Sequence, residues 1–305
     1  MTARDYTIRN YRQSDFERCA ALNLAAEGEN GYGFHYPDFS AWLHRPGATP
    51  EQDILVAETE KGAVAFLEMA PERNIARLIL YCWVSPEYRR CGIAGAFLNQ
   101  ARQRGRELGM KVLQACVNEK DAQARQVLTA LGFRQVRQFR EMGRDLADYT
   151  GSCPDVCRKI QPGDEPELMK VQNRAFAGSW GFNPNTLEQI TYHATAEDSS
   201  PEDVMFCIVD GEVAGYCWTR VTVSADGPGK GRIFMLGVDP RYRGRGIGWQ
   251  VLQAGMAYLS EKGVGEVVLT VDGENEVALR LYRKVGFTIM GTSLWYEQPV
   301  ETASS

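Results

Sequence analysis

The sequence predicts an α/β protein built from two tandem copies of one mixed α/β domain, and three observations carry the prediction. Its 305 residues fill two domains at the usual ~150 residues each. Residues 81–133 repeat in 235–287 at a constant spacing of 154, with Val84/Val238, Pro86/Pro240, Tyr88/Tyr242, Arg89/Arg243, Gly92/Gly246 and Gly132-Phe133/Gly286-Phe287 among the coincidences. Within each copy, short apolar runs alternate with stretches of helical periodicity. Upstream the spacing is 149, which sets Asp15 on Asp164 and Gly62-Ala-Val-Ala65 on Gly211-Glu-Val-Ala214; a longer loop at 224–231 absorbs the difference. A period of this length means a duplicated domain, not a solenoid. The polar stretch 145–154, with Gly151 and Pro154, separates a first domain at 1–148 from a second at 149–305.

Each element of the second copy has a local reason. Met205–Val209 and Glu212–Trp218 flank Asp210-Gly211 and read as a β-hairpin. Ile233–Val238 is a third strand, stopped by Asp239-Pro240. Ile247, Val251, Leu252, Gly255 and Leu259 keep helical spacing. Val264–Val271 is a nearly continuous apolar strand, suited to burial on both faces. Val277, Ala278, Leu281, Tyr282 and Val285 line one side of a further helix, with Gly286 where a left-handed cap belongs and a last strand from Phe287. The first copy repeats this plan with strands at 54–58, 64–69, 79–84 and 110–117 and helices at 93–108 and 121–131. One or two helices open each copy.

Composition narrows the function classes. Mean hydropathy is −0.34, and no apolar run reaches the ~20 residues of a membrane helix. The N-terminal residues lack the apolar core of a signal peptide, so a cytoplasmic protein, monomeric or homodimeric, is expected. Residues 1–150 hold 20 basic and 19 acidic side chains and 151–305 hold 14 and 20, so neither half has the positive field that nucleic-acid binding draws on. An acidic second half is compatible with a cationic substrate. The eight cysteines form no C-x-x-C pair, and Cys153 and Cys157 would be a metal half-site only with partners from elsewhere. The three histidines include no H-E-x-x-H, which disfavours metal hydrolysis and Ser-His chemistry.

The chemistry is expected at a strand-to-helix turn, Arg243-Gly-Arg-Gly-Ile-Gly248. Three glycines let backbone N–H groups close on an anion, the helix N-terminus adds partial positive charge, and Arg243 and Arg245 add full charge. A pyrophosphate suits such a cradle. The turn lacks the Lys-Ser/Thr of a P-loop and the spacing of a dinucleotide fingerprint. Read structurally, it is a glycine-rich turn with surface arginines.

The flanking residues decide between these readings. Leu236-Gly-Val238, then R-x-x-G-x-G, then Asn275-x-x-Ala278-x-x-Leu281-Tyr282-x-x-x-Gly286-Phe287 resemble the GNAT acyltransferase superfamily. The resemblance covers the whole second half and, more loosely, the first. It implies two tandem GNAT-like domains, each a mixed, mostly antiparallel sheet flanked by helices, with acetyl-CoA as cosubstrate and a small-molecule amine as acceptor, or, as the alternative, a non-catalytic acyl-CoA-binding or sensing protein. By the same resemblance, Leu236, Gly237 and Val238 would hold the pantetheine arm by backbone hydrogen bonds. Arg243, Gly244, Arg245, Gly246, Ile247 and Gly248 would hold the phosphates, and Asn275 would bond the cofactor near its thiol. Tyr282 would protonate the leaving thiolate, and a donor within hydrogen-bond reach of that sulfur lowers the barrier to acyl transfer. Its structural reading is a core tyrosine with the hydroxyl at the surface.

The first copy departs from the pattern. Arg89-Arg-Cys-Gly-Ile-Ala94 keeps R-x-x-G-x-A, so Cys82, Trp83, Val84, Arg89, Gly92 and Ala94 would be its cofactor contacts. Leu128 stands where Tyr282 does, however, and Asp121 where Asn275 does. Leucine cannot donate a proton, and the first domain is expected to be catalytically weak or inert. Many GNAT proteins place a Glu near the start of the third strand; Arg232 stands here instead. Asp272, His193 or a chain of waters remain as bases. Trp180 and Phe182 are read as an apolar wall for the acceptor, or as anchors of a helix to the sheet. Glu197, Asp198, Glu202 and Asp203 are read as attracting its charge, or as a solvated loop.

Overall fold

A computed structural model describes residues 5–30, 39–195, 200–224 and 227–300. The chain forms two compact units, one of residues 1–138 with 293–305 and one of residues 139–292. Among the described residues, no helix is long and apolar enough to cross a membrane.

The first unit runs β1 (Thr7–Asn10), α1 (Phe16–Asn30), α2 (Phe39–Leu43), α3 (Pro50–Asp53), β2 (Ile54–Thr59), β3 (Gly62–Glu72), β4 (Arg77–Val84), α4 (Ile93–Glu107), β5 (Val112–Asn118) and α5 (Ala122–Ala130). Next comes β6 (Arg134–Asp145), whose residues from Phe139 on belong to the second unit. The second unit continues with β7 (Cys157–Lys159), α6 (Glu165–Phe176), α7 (Leu187–Thr195), β8 (Val204–Val209), β9 (Glu212–Ser224), β10 (Gly227–Val238), α8 (Ile247–Glu261), β11 (Glu266–Asp272) and α9 (Glu276–Lys284). The chain ends in β12 (Thr288–Pro299), whose residues from Ser293 on lie in the first unit.

Each unit is a mixed, mostly antiparallel sheet flanked by helices. In the first, the order is β1-β2-β3-β4-β5 and then the end of β12, with β4 and β5 parallel and the other described pairs antiparallel. In the second, β7-β8-β9-β10-β11 is completed by the end of β6, and β10 and β11 are the parallel pair. One face of each sheet carries the longest helix. Ile93, Phe97, Leu98 and Ala101 of α4 pack with Leu78 and Leu113, and Val251, Leu252 and Leu259 of α8 with Val267 and Leu269.

The duplication shows in bonding as well as in sequence. Arg9 binds Asp15 at 2.7 Å and Arg158 binds Asp164 at 2.6 Å, both pairs spaced by 149. The β-bulge of the first hairpin, between Ala57↔Ala65 and Glu58↔Ala63, recurs between Cys207↔Gly215 and Ile208↔Val213. That is a spacing of 150, one more than the matching of Gly62 with Gly211 gives.

The larger difference from the sequence division concerns the last strand of each copy. Phe139–Asp145 pair with Glu266–Asp272, and Ser293–Pro299 pair with Val112–Asn118. Residues 139–148 thus belong with the second unit and 293–305 with the first, whereas a division at 148/149 assigns both the other way. The two exchanged registers are copies of each other at a spacing of 154. Since each copy supplies an equivalent strand, the repeat alone is satisfied equally by a strand kept or exchanged.

Candidate active site

The site in the second unit starts from a break in strand pairing. β10 runs parallel to β11 from Lys230↔Glu266 to Ile233↔Leu269 and pairs with it no further among the described residues. On its other side β10 stays on β9, but the register slips between Ile233↔Thr219 and Met235↔Trp218, leaving Phe234 as a bulge. A bulge twists its strand and re-aims the backbone beyond it. Residues 235–238 lie beyond this bulge and beyond the last pair with β11, so one edge of their backbone has no strand partner among the described residues. Leu236, Gly237 and Val238, named from the sequence, lie in this segment. Gly237 is also required by packing, since a Cβ there would stand 2.7 Å from the Tyr216 ring and 2.9 Å from Ala175.

In the sequence the only trace of the bulge is the point where the gapless repeat begins, at 81 and 235. Upstream of it the paired strands match at 153, not 154, so Phe234 is one residue more than the first unit has. There β3 and β4 pair without a slip from Arg77 to Val84. The position of Gly237 is taken by Trp83, stacked on Phe66 at 4.4 Å. β4 likewise pairs with β5 no further than Ile79↔Gln114, so the units differ here in the bulge and in the side chain, a glycine in one and a buried indole in the other.

Beyond β10, Asp239 is fully buried, accepts from Arg174 Nε at 2.6 Å and caps the 3-10 turn 240–242 through Arg241 N at 3.0 Å. Hydrogen bonds from Arg241, and then Arg174, hold its carboxyl at about 2. Gly244 and Gly246 follow with φ +77° and +79°, and nothing lies within 4 Å of where a Cβ would sit on either. Their glycines are required by backbone conformation, and the space in front of them is open. Gly246 then caps α8, whose first turn presents N–H groups without intrahelical partners. Buried Ile247 anchors the turn, and Gly248 sits against Val238 and Leu281. The turn thus presents N–H groups without intrahelical partners to open space beside the end of β10.

Two side chains assigned to ligand binding by resemblance are partly occupied. Arg243 donates to Ala175 O at 2.7 Å and to Val238 O at 3.4 Å, so its guanidinium braces the turn against α6. Arg245 is exposed, over the Tyr242 ring at 5.5 Å. Asn275 is the N-cap of α9, its Oδ1 accepting from Ala278 N at 3.1 Å. Asp121 caps α5 in the same way.

Tyr282 faces inward from α9, buried in the α8-side core and 5.9 Å edge-on from Phe287. Burial, and then the neighbouring Cys217, push its hydroxyl well above the usual tyrosine range, so it stays protonated. Tyr216, fully buried on β9, has a hydroxyl with no hydrogen-bond partner among the described residues. In the first unit α5 has no buried side chain, and Leu128 is half-buried.

The opposite face of the second sheet carries a group of aromatic side chains. Trp180 packs on Phe139 at 6.0 Å, Phe176 stacks on Phe182 at 5.5 Å, and His193 approaches Phe234 at 6.4 Å. Arg232 reaches Thr270 at 3.3 Å and Glu141 at 3.4 Å. Glu141 was invisible to sequence reasoning because it comes from the first copy on the exchanged strand. Asp272 accepts from Glu274 N at 3.0 Å, capping the turn into α9. Asp203 is buried and accepts from Tyr258 at 2.7 Å, so it is structural and does not face an acceptor. Glu202 is exposed, and Glu197 and Asp198 lie outside the described residues.

Comparison with known proteins agrees with this geometry. The profile of the acetyltransferase (GNAT) family matches residues 10–133 and again 166–287. A mycothiol acetyltransferase of Acidimicrobium ferrooxidans is 32% identical over 281 residues, covering 88% of this chain and 89% of its own. One of Mycobacteroides abscessus is 32% identical over 261 residues, covering 79% and 83%. Among solved structures, a GCN5-related N-acetyltransferase from Sphaerobacter thermophilus matches with TM-score 0.74 and 23% identity, covering 98% of this chain and 97% of that one. A tandem GNAT protein from the clavulanic acid biosynthesis pathway matches with TM-score 0.68 and 17% identity over 98% and 100%.

Proposed function

Because the chain belongs to the acetyltransferase (GNAT) family, whose cosubstrate is acetyl-CoA or another acyl-CoA, we propose that it acetylates a small-molecule primary amine at the second unit alone. The observation that carries this is the asymmetry between the units: β4 parts from β5 as β10 does from β11, but the bulge at Phe234, the bare Gly237 and the buried Tyr282 occur together in the second unit, against an unbroken register, Trp83 and Leu128 in the first. The tandem arrangement resembles mycothiol synthase, and the relatives named mycothiol acetyltransferases put that thiol's amine precursor first among acceptors to test.

The thioester arm lies along Leu236, Gly237 and Val238 with its pyrophosphate on the turn 244–248. A neutral amine entering from the aromatic face attacks the thioester carbonyl carbon, and backbone N–H near Val238 stabilises the oxyanion. The tetrahedral adduct collapses, its C–S bond breaks, and Tyr282 gives its proton to the leaving thiolate. The ammonium proton leaves by way of solvent or an acidic side chain, returning Tyr282 to its neutral form. No cysteine is placed to carry the acetyl group, so transfer is direct.

Thiol release from acetyl-CoA across a panel of amines tests the reading. Tyr282→Phe is expected to lower kcat by about 100- to 1,000-fold with the KM for acetyl-CoA little changed, as for loss of a general acid. Leu128→Ala is expected to leave turnover unchanged. The reverse pattern would move the chemistry to the first unit.

A further inference from the structure

Four cysteines of the second unit lie on or beside the face of its sheet that carries α8, and three of them, Cys153, Cys157 and Cys207, lie away from the bulged strand. Two of them, Cys157 on β7 and Cys207 on β8, stand directly opposite each other. The flanking hydrogen bonds, Ile208 N to Val156 O at 2.8 Å and Ile160 N to Val204 O at 2.9 Å, mark theirs as a non-hydrogen-bonded antiparallel position. There the Cα atoms approach to about 4.5 Å and the side chains crowd together, inside the ~4.4–6.8 Å span a disulfide bridges. Both thiols converge on one residue of α8: Cys157 Sγ lies 3.8 Å from Gln250 O, and Cys207 Sγ lies 3.3 Å from Gln250 Oε1. Both are reduced in this structure.

The pair also has an entrance. A cavity of about 180 Å³ is lined by Cys157 together with Cys153, Lys159, Met205, Tyr258 and Glu261. Cys157 is partly exposed there, whereas Cys207 is fully buried behind it. The register alone sets the two thiols against each other.

We propose that Cys157 and Cys207 form a redox-active dithiol that exchanges with low-molecular-weight disulfides admitted through this cavity. Cys157, as thiolate, attacks one sulfur of the incoming disulfide; that S–S bond breaks, one small thiol leaves, and a mixed disulfide forms on Cys157. Cys207, as thiolate, attacks Cys157 Sγ and expels the second small thiol. The protons of the two cysteines end on the two released thiols, and two electrons pass from the protein to the small disulfide. The order follows from access, since of the pair Cys157 lines the cavity and Cys207 does not. The shared hydrogen bond holds the Cys207 thiol below its usual range and the Cys157 thiol above it. Loss of the Cys207 proton and passage of the Cys157 proton across that hydrogen bond make Cys157 the first nucleophile, two protons leaving the pair in all.

Incubation of the full-length protein with oxidised glutathione, followed by intact-mass analysis and peptide mapping without reduction, tests this. The expected product is lighter by two hydrogen atoms and yields one linked peptide joining Cys157 to Cys207. Cys207→Ser is expected to stop at a glutathione adduct on Cys157, and Cys153→Ser to close the bond as the unaltered protein does. Oxidised protein is expected to melt at a higher temperature than reduced protein, a difference that Cys157→Ser removes. Recovery of both cysteines as free thiols, or a linkage through Cys153, would overturn the proposal, and both are read on the unaltered chain.

Discussion

Asp239 shows how a single side chain sets the approach to the cradle. Its carboxylate is buried between Arg174 and Arg241, and their hydrogen bonds hold it at about 2. An unfolded aspartate titrates near ~3.9, so the folded state binds this proton less readily than the unfolded one. The stability it contributes is therefore fully present above about pH 4 and is lost as the pH falls through about 2. Asp239→Ala is expected to cost roughly 1–3 kcal/mol in urea unfolding at pH 7, because Arg174 and the 3-10 turn lose their acceptor. That deficit should shrink steadily between pH 4 and 2. The first copy has Ser85 at this position, with no side-chain cap on its turn. Such residue-scale distinctions were only partly legible in the sequence. Tyr282 against Leu128 could be read directly, since the residue type is itself the chemistry. The engagement of Arg243 with Ala175 O could not, because an arginine beside glycines has the same spelling whether it braces a turn or waits for a phosphate.

At the scale of elements, the strand–turn–helix was the most legible part, and the comparison of its two copies explains why. Gly244 and Gly246 hold left-handed conformations that only glycine adopts freely, so their type is dictated by backbone geometry. The first copy keeps that geometry at Arg90, with φ +61°, and at Gly92, with φ +83°. An L-residue other than Gly pays roughly 1–2 kcal/mol there, offset in part because glycine has more freedom to lose on folding. Arg90→Gly is thus expected to stabilise the protein by about 0.5–1 kcal/mol, and Gly244→Ala to destabilise it by about 1 kcal/mol. Calorimetric titration separates the two turns: Gly244→Ala should weaken acetyl-CoA binding, whereas Arg90→Gly should leave it unchanged if only the second unit binds. The bulge at Phe234 stayed hidden for a different reason. A bulge adds one residue without altering apolar alternation on either side, so its trace is a change of repeat spacing, which a nearby longer hairpin masks.

For the whole molecule, the exchanged strands separate chain order from structural membership. The second unit is one continuous segment, 139–292, and its β11 is covered on one side by Phe139–Asp145. A fragment cut where the sequence changes character, 149–305, lacks that strand and carries 293–305, which belong to the first unit. It would expose the edge of β11, an apolar strand with Val267, Leu269 and Val271 buried in the intact unit, and such an edge templates aggregation. Fragment 139–292 keeps the strand, Glu141 beside Arg232, the bulge, the glycine turn and Tyr282. It is expected to be soluble, to unfold in one cooperative transition by circular dichroism and to bind acetyl-CoA, whereas 149–305 is expected to aggregate or melt without cooperativity. Equal behaviour of the two fragments would mean that the exchanged strand contributes nothing to the second unit. A fragment 139–292 that folds and binds acetyl-CoA but turns over no amine would instead tie turnover to the remainder of the chain. The ten residues that distinguish the two cuts thus decide whether the duplicated halves are independent domains in sequence or only in structure.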